Sequence, residues 1–280
     1  MKSKSLFVGL VLAMIFTSCQ SSKSKSESDI TFTLPGGSTS FKMIYVEGGS
    51  FNMGCTVEDF GVSDNSVVFK VALSNYYIGE FEVTQELWKA VMGTTVVEQR
   101  DKNEFSYDWP LSNEGANYPM YYVNWNECEE FCIRLNNMLE GELPEGYQFM
   151  LPTEAQWEYA ARGGKKGKST KSSRRDYIYE FAWLYDDIDE FTHEVGQKGP
   201  NELGIYDMSG NVCEWCMDWY NEPSDDSSTT KLQKSKETSR VGRENGLEGS
   251  AVGCRVFARG YTSHYYRCYC LGMRLALVQK

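Results

Sequence analysis

Leu151-Pro152-Thr153-Glu154-Ala155-Gln156-Trp157-Glu158-Tyr159-Ala160-Ala161-Arg162-Gly163-Gly164 spells out both ends of one short helix. Thr153 stands at the N-cap, and Gln156 three residues on completes a capping box. Trp157, Ala160 and Ala161 fall on one face, and Gly163-Gly164 supplies a left-handed stop. A helix this brief cannot build a bundle, so the rest of the core has to come from other short elements.

Working outward confirms that pattern. Upstream, a helix is expected from Asn126 to Gly141, with Glu129 as capping partner and Cys128, Phe131, Cys132, Leu135 and Leu139 on its core face. Another runs from Gln85 to Met92, between a Thr84 cap and Gly93, with Leu87, Trp88, Val91 and Met92 on one side. Residues 94 to 120 read as loop. Phe41 to Gly54 alternates around Gly48-Gly49 as a hairpin would, and Val67 to Ile78 reads as a strand. Downstream, a basic, polar loop runs to about Asp176, strands are expected at Phe181–Tyr185 and Gly204–Met208, and residues 221 to 250 are too polar to pack. Strands at Arg255–Arg259 and Met273–Val278 close the chain. The class is α+β, with few short helices, many short strands, long loops and no internal repeat.

The net charge of −11 argues against nucleic acid as a partner. Lys2 and Lys4 precede an apolar run from Leu6 to Phe16, about half of the roughly 20 residues that span a bilayer, which is signal-peptide length. The run ends in Phe16-Thr17-Ser18-Cys19, which resembles a bacterial lipobox with Phe16 in place of the usual leucine. The organisation expected is a signal peptide over 1–18, a polar tether over 19–40 and one domain over 41–280. A lipid on Cys19 would hold the chain to a membrane of the cell envelope, periplasmic or at the cell surface. Eight further cysteines allow 105 pairings, and the sequence does not choose among them.

Several segments, in order, resemble the formylglycine-generating-enzyme or sulfatase-modifying-factor family. They are Met43–Gly54 (MIYVEGGSFNMG), Tyr77–Gln85 (YIGEFEVTQ), Tyr122-Val123-Asn124-Trp125, the opening helix segment, and Asn201–Trp215 (NELGIYDMSGNVCEW). The resemblance implies a C-type-lectin-like fold of the sulfatase-modifying-factor type over residues 43 to 278. It also implies a calcium site at Asp207, Gly210, Val212 and Glu214, the acidic residues giving side chains and the other two giving carbonyls, a donor set suited to a hard cation. The alternative is an Asx turn at Asp207 and a Glu214 paired with an arginine. A second calcium site of the family opens with Asn-Ile-Trp; here Phe181-Ala182-Trp183 cannot supply the first ligand.

The family's oxidase chemistry needs two thiolates on copper, a soft-ligand requirement. Aligned forward from Arg259-Gly260, those positions fall on Tyr265 and Cys270; aligned backward from Leu271-Gly272-Met273-Arg274, the cysteine-bearing stretch is deleted. Either register loses a ligand, which argues against copper. Cys268 and Cys270 remain the candidates for a displaced site, alone or with Cys213, Cys216 or His264, and disulfides or packing are the alternative uses. His193 reads as a surface or packing residue. The tail around these cysteines is rich in residue types that make adaptable contacts: Tyr261, Ser263, His264, Tyr265, Tyr266, Arg267 and Tyr269. It also looks like the variable segment of diversity-generating-retroelement target proteins. The leading expectation is a non-catalytic envelope lipoprotein that binds a protein or glycan through this tail. A copper-dependent formylglycine-generating oxidase, a retroelement-diversified binder and a structural gliding-type component are the competing readings.

Overall fold

The computed structural model describes residues 28–37, 39–54, 68–102, 111–167, 178–183, 192–221, 238–243 and 255–280. In chain order the elements are β1 (Ile30–Thr33), β2 (Ser40–Val46), β3 (Ser50–Met53), β4 (Phe69–Ala72), β5 (Tyr76–Gly79), α1 (Gln85–Met92), α2 (Val96–Asp101), α3 (Trp125–Met138), β6 (Tyr147–Met150), α4 (Glu154–Ala161), α5 (Ile178–Phe181), β7 (Cys213–Trp219), β8 (Ser239–Arg243), β9 (Arg259–Ser263), β10 (Leu271–Gly272) and β11 (Ala276–Gln279). The five-stranded sheet has the order β1-β2-β5-β11-β6 and is antiparallel throughout. Its inner strand β11 is the last of the chain, so the two ends of the domain are sewn together. A four-stranded sheet, β10-β7-β8-β9, and the pair β3-β4 complete the architecture.

Alternation puts successive side chains of the large sheet on opposite faces. Met43 and Tyr77 join a core with Trp88, Phe131, Phe149 and Trp215, where α1 and α3 pack and the Trp88 and Phe131 rings stack at 5.3 Å. Ile44, Tyr76 and Ile78 join a second core with Trp157, Met208 and Val241 under α4. Both faces are therefore covered, which is why all of β5 is buried. A strand with two buried faces reads as a continuous apolar run.

The helix at Thr153 forms as its sequence predicts, with a complete capping box, and Thr84 and Gly93 bound α1. Other expectations are corrected. The long helix starts at Trp125, capped by Asn124 with Glu127 in the reciprocal position, because Asn124 follows the chain turn and its side chain meets the Glu127 amide at 2.9 Å. Residues 94 to 120 contain α2, with a capping box of its own at Thr95 and Glu98. β2 and β3 do not pair with each other; Gly48-Gly49 carries the chain from one sheet to another. Gly48 is needed there because its amide meets Asn75 at 2.8 Å and a side chain would run into the Leu73 carbonyl.

The sheet also begins before residue 41: β1 lies within the stretch expected as tether, and Phe32 and Leu34 are core residues. The strand expected at Arg255–Arg259 is shifted to Arg259–Ser263, and β8 runs through the segment judged too polar to pack. No strand forms at Gly204–Met208, and Phe181 ends the short helix α5. β8 packs because α4 places Glu154 and Glu158 one turn apart, and each bonds the fully buried Arg243 guanidinium at 2.9 Å. Burial alone would push the Glu154 carboxyl up, but Arg243 and Arg259 outweigh it and hold it below its usual range.

The corrected start of α3 is testable. Asn124→Ala should cost about 1 kcal/mol in urea unfolding, as loss of an N-cap does. Asn126→Ala, on the exposed face, should stay within about 0.5 kcal/mol of the parent.

Candidate functional site

Two places attract the sequence-predicted residues, and they differ in kind. The first is built around Arg274. Its guanidinium, fully buried, donates to the carbonyls of Gly79 (3.1 Å), Glu80 (3.3 Å), Tyr206 (3.0 Å) and Asp207 (3.2 Å). Its Nη2 and Nε reach Glu214 at 2.7 and 3.0 Å. Glu214 Oε2 also accepts from Trp157 Nε1 at 2.6 Å. Glu82, buried beside them, accepts from Asn211 Nδ2 at 2.7 Å and from the Val212 amide at 3.1 Å. Asp207 and Asn211 both take the left-handed conformation, which short polar side chains tolerate. Asp207 Oδ2 accepts from the Gly196 amide, while its buried Oδ1 has no hydrogen-bond partner. Burial, assisted by Glu214, raises the Asp207 carboxyl to about 6.

The second place is the tail. β9 ends at Ser263, and the Tyr266 amide closes a turn on the Ser263 carbonyl at 2.8 Å. Tyr261, Tyr265 and Tyr266 stand 60%, 66% and 43% exposed, the most exposed large aromatic rings among the described residues. They rest on ordered supports. Tyr261 stacks on Tyr220 at 4.0 Å, and Tyr265 packs on His264 at 3.9 Å. His264 meets the Trp219 ring edge-on at 5.7 Å, and the Arg240 guanidinium lies between Trp219 (3.5 Å) and Trp125 (3.6 Å). A column of rings thus climbs from α3 to the surface, with aromatic and cation–π contacts each contributing about 0.5–1.5 kcal/mol. Arg267 pairs with Glu127 at 2.9 Å, Tyr269 packs half-buried against the main core, and Ser263 is exposed. Cys268 and Cys270 are buried, their sulfurs 3.1 Å apart.

The family model described as "Sulfatase-modifying factor enzyme 1-like domain" matches residues 32–278. The chain belongs to this family. It is 32% identical over 236 residues to the "Chaperone protein LppX" of Paenibacillus barcinonensis, covering 69% of this chain and 76% of that one. The formylglycine-generating enzyme of Bos taurus is 24% identical over 246 residues, 69% of this chain but 63% of the enzyme's own length. Among solved structures, Treponema denticola variable protein 1 superposes with a TM-score of 0.71 at 31% identity, covering 89% of this chain and 98% of that one. These likenesses agree with the α+β, C-type-lectin-like class read from the sequence.

Within this sulfatase-modifying-factor domain the two inherited metal sites are spent or altered. A carboxylate has about four lone-pair positions. Those of Glu214 are filled by Trp157 and by three contacts from Arg274, so as placed the residues do not fit a calcium ion held by Glu214. A tetrahedral metal with bonds of about 2.3 Å would hold two sulfurs roughly 3.7 Å apart, farther than Cys268 and Cys270 stand. Among the described residues no group of three or more His, Cys, Asp or Glu is arranged to hold a metal. His193 lies against the Trp183 ring at 3.5 Å, a packing role. A cavity of about 210 Å³ opens beside β2 and β5, lined by Phe41, Lys42, Glu80, Phe81 and Leu87, and contains no tail residue.

The supports of the tail, Trp125, Trp219, Tyr220 and Arg240, are the functional residues that sequence reading missed. Trp219-Tyr220 sits only a few residues beyond the family segment ending at Trp215, which was the available signal. Arg240 carried none, since it lies in the polar stretch. If the guanidinium is the cation this frame depends on, EDTA should leave the thermal midpoint unchanged. Glu214→Gln, which strands a buried arginine, should lower unfolding free energy by about 3–5 kcal/mol.

Proposed function

We propose that this chain is a lipid-anchored cell-envelope protein whose sulfatase-modifying-factor domain binds a protein or glycan ligand through the surface at Tyr261, Tyr265 and Tyr266. The observation that carries the reading is the exposure of these rings on a pre-formed column, at the position where the enzymes of this family carry their copper cysteines. Tyrosine supplies large contact area with few rotatable bonds, and supports beneath it lower the entropy lost on binding. A relative named as a chaperone and a structural neighbour named as a variable protein both suit a domain that binds. The oxidase reading asks for thiolates open to a substrate, whereas Cys268 and Cys270 are 5% and 4% exposed.

Cys19 lies outside the described residues, and no helix among the described residues is long and apolar enough to cross a membrane. Lipidation of Cys19 supplies the anchor in this reading. β1 begins at Ile30, so the intervening chain reaches at most about 35 Å, keeping the domain close to the membrane. Confinement of that kind raises effective concentration toward partners on the same surface.

The binding reading is tested by arraying the purified domain on glycans and envelope proteins. Combined Tyr261→Ala, Tyr265→Ala and Tyr266→Ala should abolish binding while shifting unfolding free energy by only a few tenths of a kcal/mol per site. Unchanged binding would sink the reading, as would conversion of a Cys-x-Pro-x-Arg peptide thiol to aldehyde by the copper-loaded protein, followed by mass spectrometry. For the anchor, Cys19→Ser should move the protein from the detergent phase to the aqueous phase of a Triton X-114 partition.

A further inference from the structure

We infer that Cys268 and Cys270 form a reversible disulfide, a modification site built into the foot of the binding tail. Their sulfurs stand 3.1 Å apart, about 1 Å beyond the length of a covalent S–S bond and closer than a tetrahedral metal would hold them. The backbone keeps them there. The Cys268 carbonyl accepts from the Tyr122 and Leu271 amides at 3.0 and 3.3 Å, and the Cys270 carbonyl accepts from the Cys213 amide at 2.6 Å. Tyr122 is itself held at φ 60°, a conformation that costs a bulky residue about 1–3 kcal/mol and persists only where its surroundings fix it. Both cysteines are thus clamped facing each other rather than placed by a free loop.

The other described cysteines are poorer pairs. Cys213 and Cys216 are three apart on β7, which puts them on opposite faces and roughly 10 Å from each other, beyond disulfide reach. Cys128 and Cys132 sit one turn apart on α3, fully buried or nearly so, and burial pushes both thiols well up and away from the reactive thiolate. The pair at 268 and 270 instead adjoins the exposed turn that carries Tyr265 and Tyr266.

The chemistry is thiol–disulfide exchange with a disulfide donor, protein or small molecule. One cysteine thiolate attacks the donor S–S bond, forming a mixed disulfide and releasing one donor thiol. The second thiolate attacks the cysteine sulfur of that mixed disulfide, forming the Cys268–Cys270 bond and releasing the second donor thiol. The two cysteines lose two electrons, the donor disulfide gains them, and the two thiol protons end on the two donor thiols. The ring closed across Tyr269 then pins the foot of the tail, and reduction loosens it. The effect on ligand binding rests on the function proposed above; the disulfide does not.

The test uses the whole purified protein, denatured in iodoacetamide without prior reduction and digested with trypsin. Cleavage after Arg267 and Arg274 yields Cys268-Tyr269-Cys270-Leu271-Gly272-Met273-Arg274, which contains both cysteines and no other. After incubation with glutathione disulfide this peptide should be unalkylated and lighter by two hydrogens, and dithiothreitol before alkylation should make it doubly alkylated. Varying the ratio of glutathione to its disulfide should convert one form to the other in a single two-electron transition. A doubly alkylated peptide at every ratio, a stable mixed disulfide with glutathione, or linkage of either residue to a different cysteine would each overturn the inference. Loss of tail binding on reduction, with the disulfide mapped, would join the two proposals. Unchanged binding would leave the modification standing without a role in recognition.

Discussion

A buried guanidinium fixes how this domain closes. Arg274 lies between β10 and β11 and bonds the ends of β5, the 206–207 carbonyls and Glu214 of β7 at once. Taking both charges out of water costs several kcal/mol per ion, repaid only when every donor and acceptor is filled. That condition is met here: Nε, Nη1 and Nη2 all have acceptors, and Glu214 has none of its lone pairs left over. The geometry is consequently intolerant, and it dictates the left-handed turns at Asp207 and Asn211 that aim two carbonyls and one amide at their partners.

Much of the fold could be read because its signals are local. The capping boxes need only residues three apart, so Thr153 with Gln156 was legible without any tertiary knowledge, and so was the core face of α3 with Cys128, Phe131 and Leu135. What could not be read depends on distant partners. β8 contains two arginines in five residues and looks like a solvated stretch; it packs only because Glu154 and Glu158, remote in sequence, wait for Arg243. Gly48-Gly49 carries a hairpin's composition, yet the strands on either side find other neighbours, since the Gly49 carbonyl is taken by the Leu73 amide at 2.8 Å. A pattern of period two predicts a strand, not its partner.

The candidate sites follow the same division. The residues Asp207, Gly210, Val212 and Glu214 do converge, as the family resemblance implies, but their charge requirement is met by an arginine sixty residues downstream of Glu214, a pairing visible only in three dimensions. The tail residues were legible as a set because exposure and aromatic composition are properties of a segment. Their supports were not, because a column of rings drawn from α3, β7, β8 and β9 has no sequence periodicity.

The tail is attached to the frame chiefly through its main chain. The carbonyls of His264, Cys268 and Cys270 accept from the amides of Trp125, Tyr122 and Cys213, and β9 pairs with β8 along its whole length. Main-chain bonds of this kind are indifferent to side-chain identity, so the side chains of Tyr261, Tyr265 and Tyr266 point outward from a conformation they do not have to maintain. Arg274 and Arg243 stand at the other extreme, each irreplaceable without stranding a buried carboxylate. A scaffold so rigid within and so permissive at one edge separates the residues that hold the fold from those that meet a partner. In that arrangement the surface can be tuned for different ligands while the two ionic hubs keep the same frame.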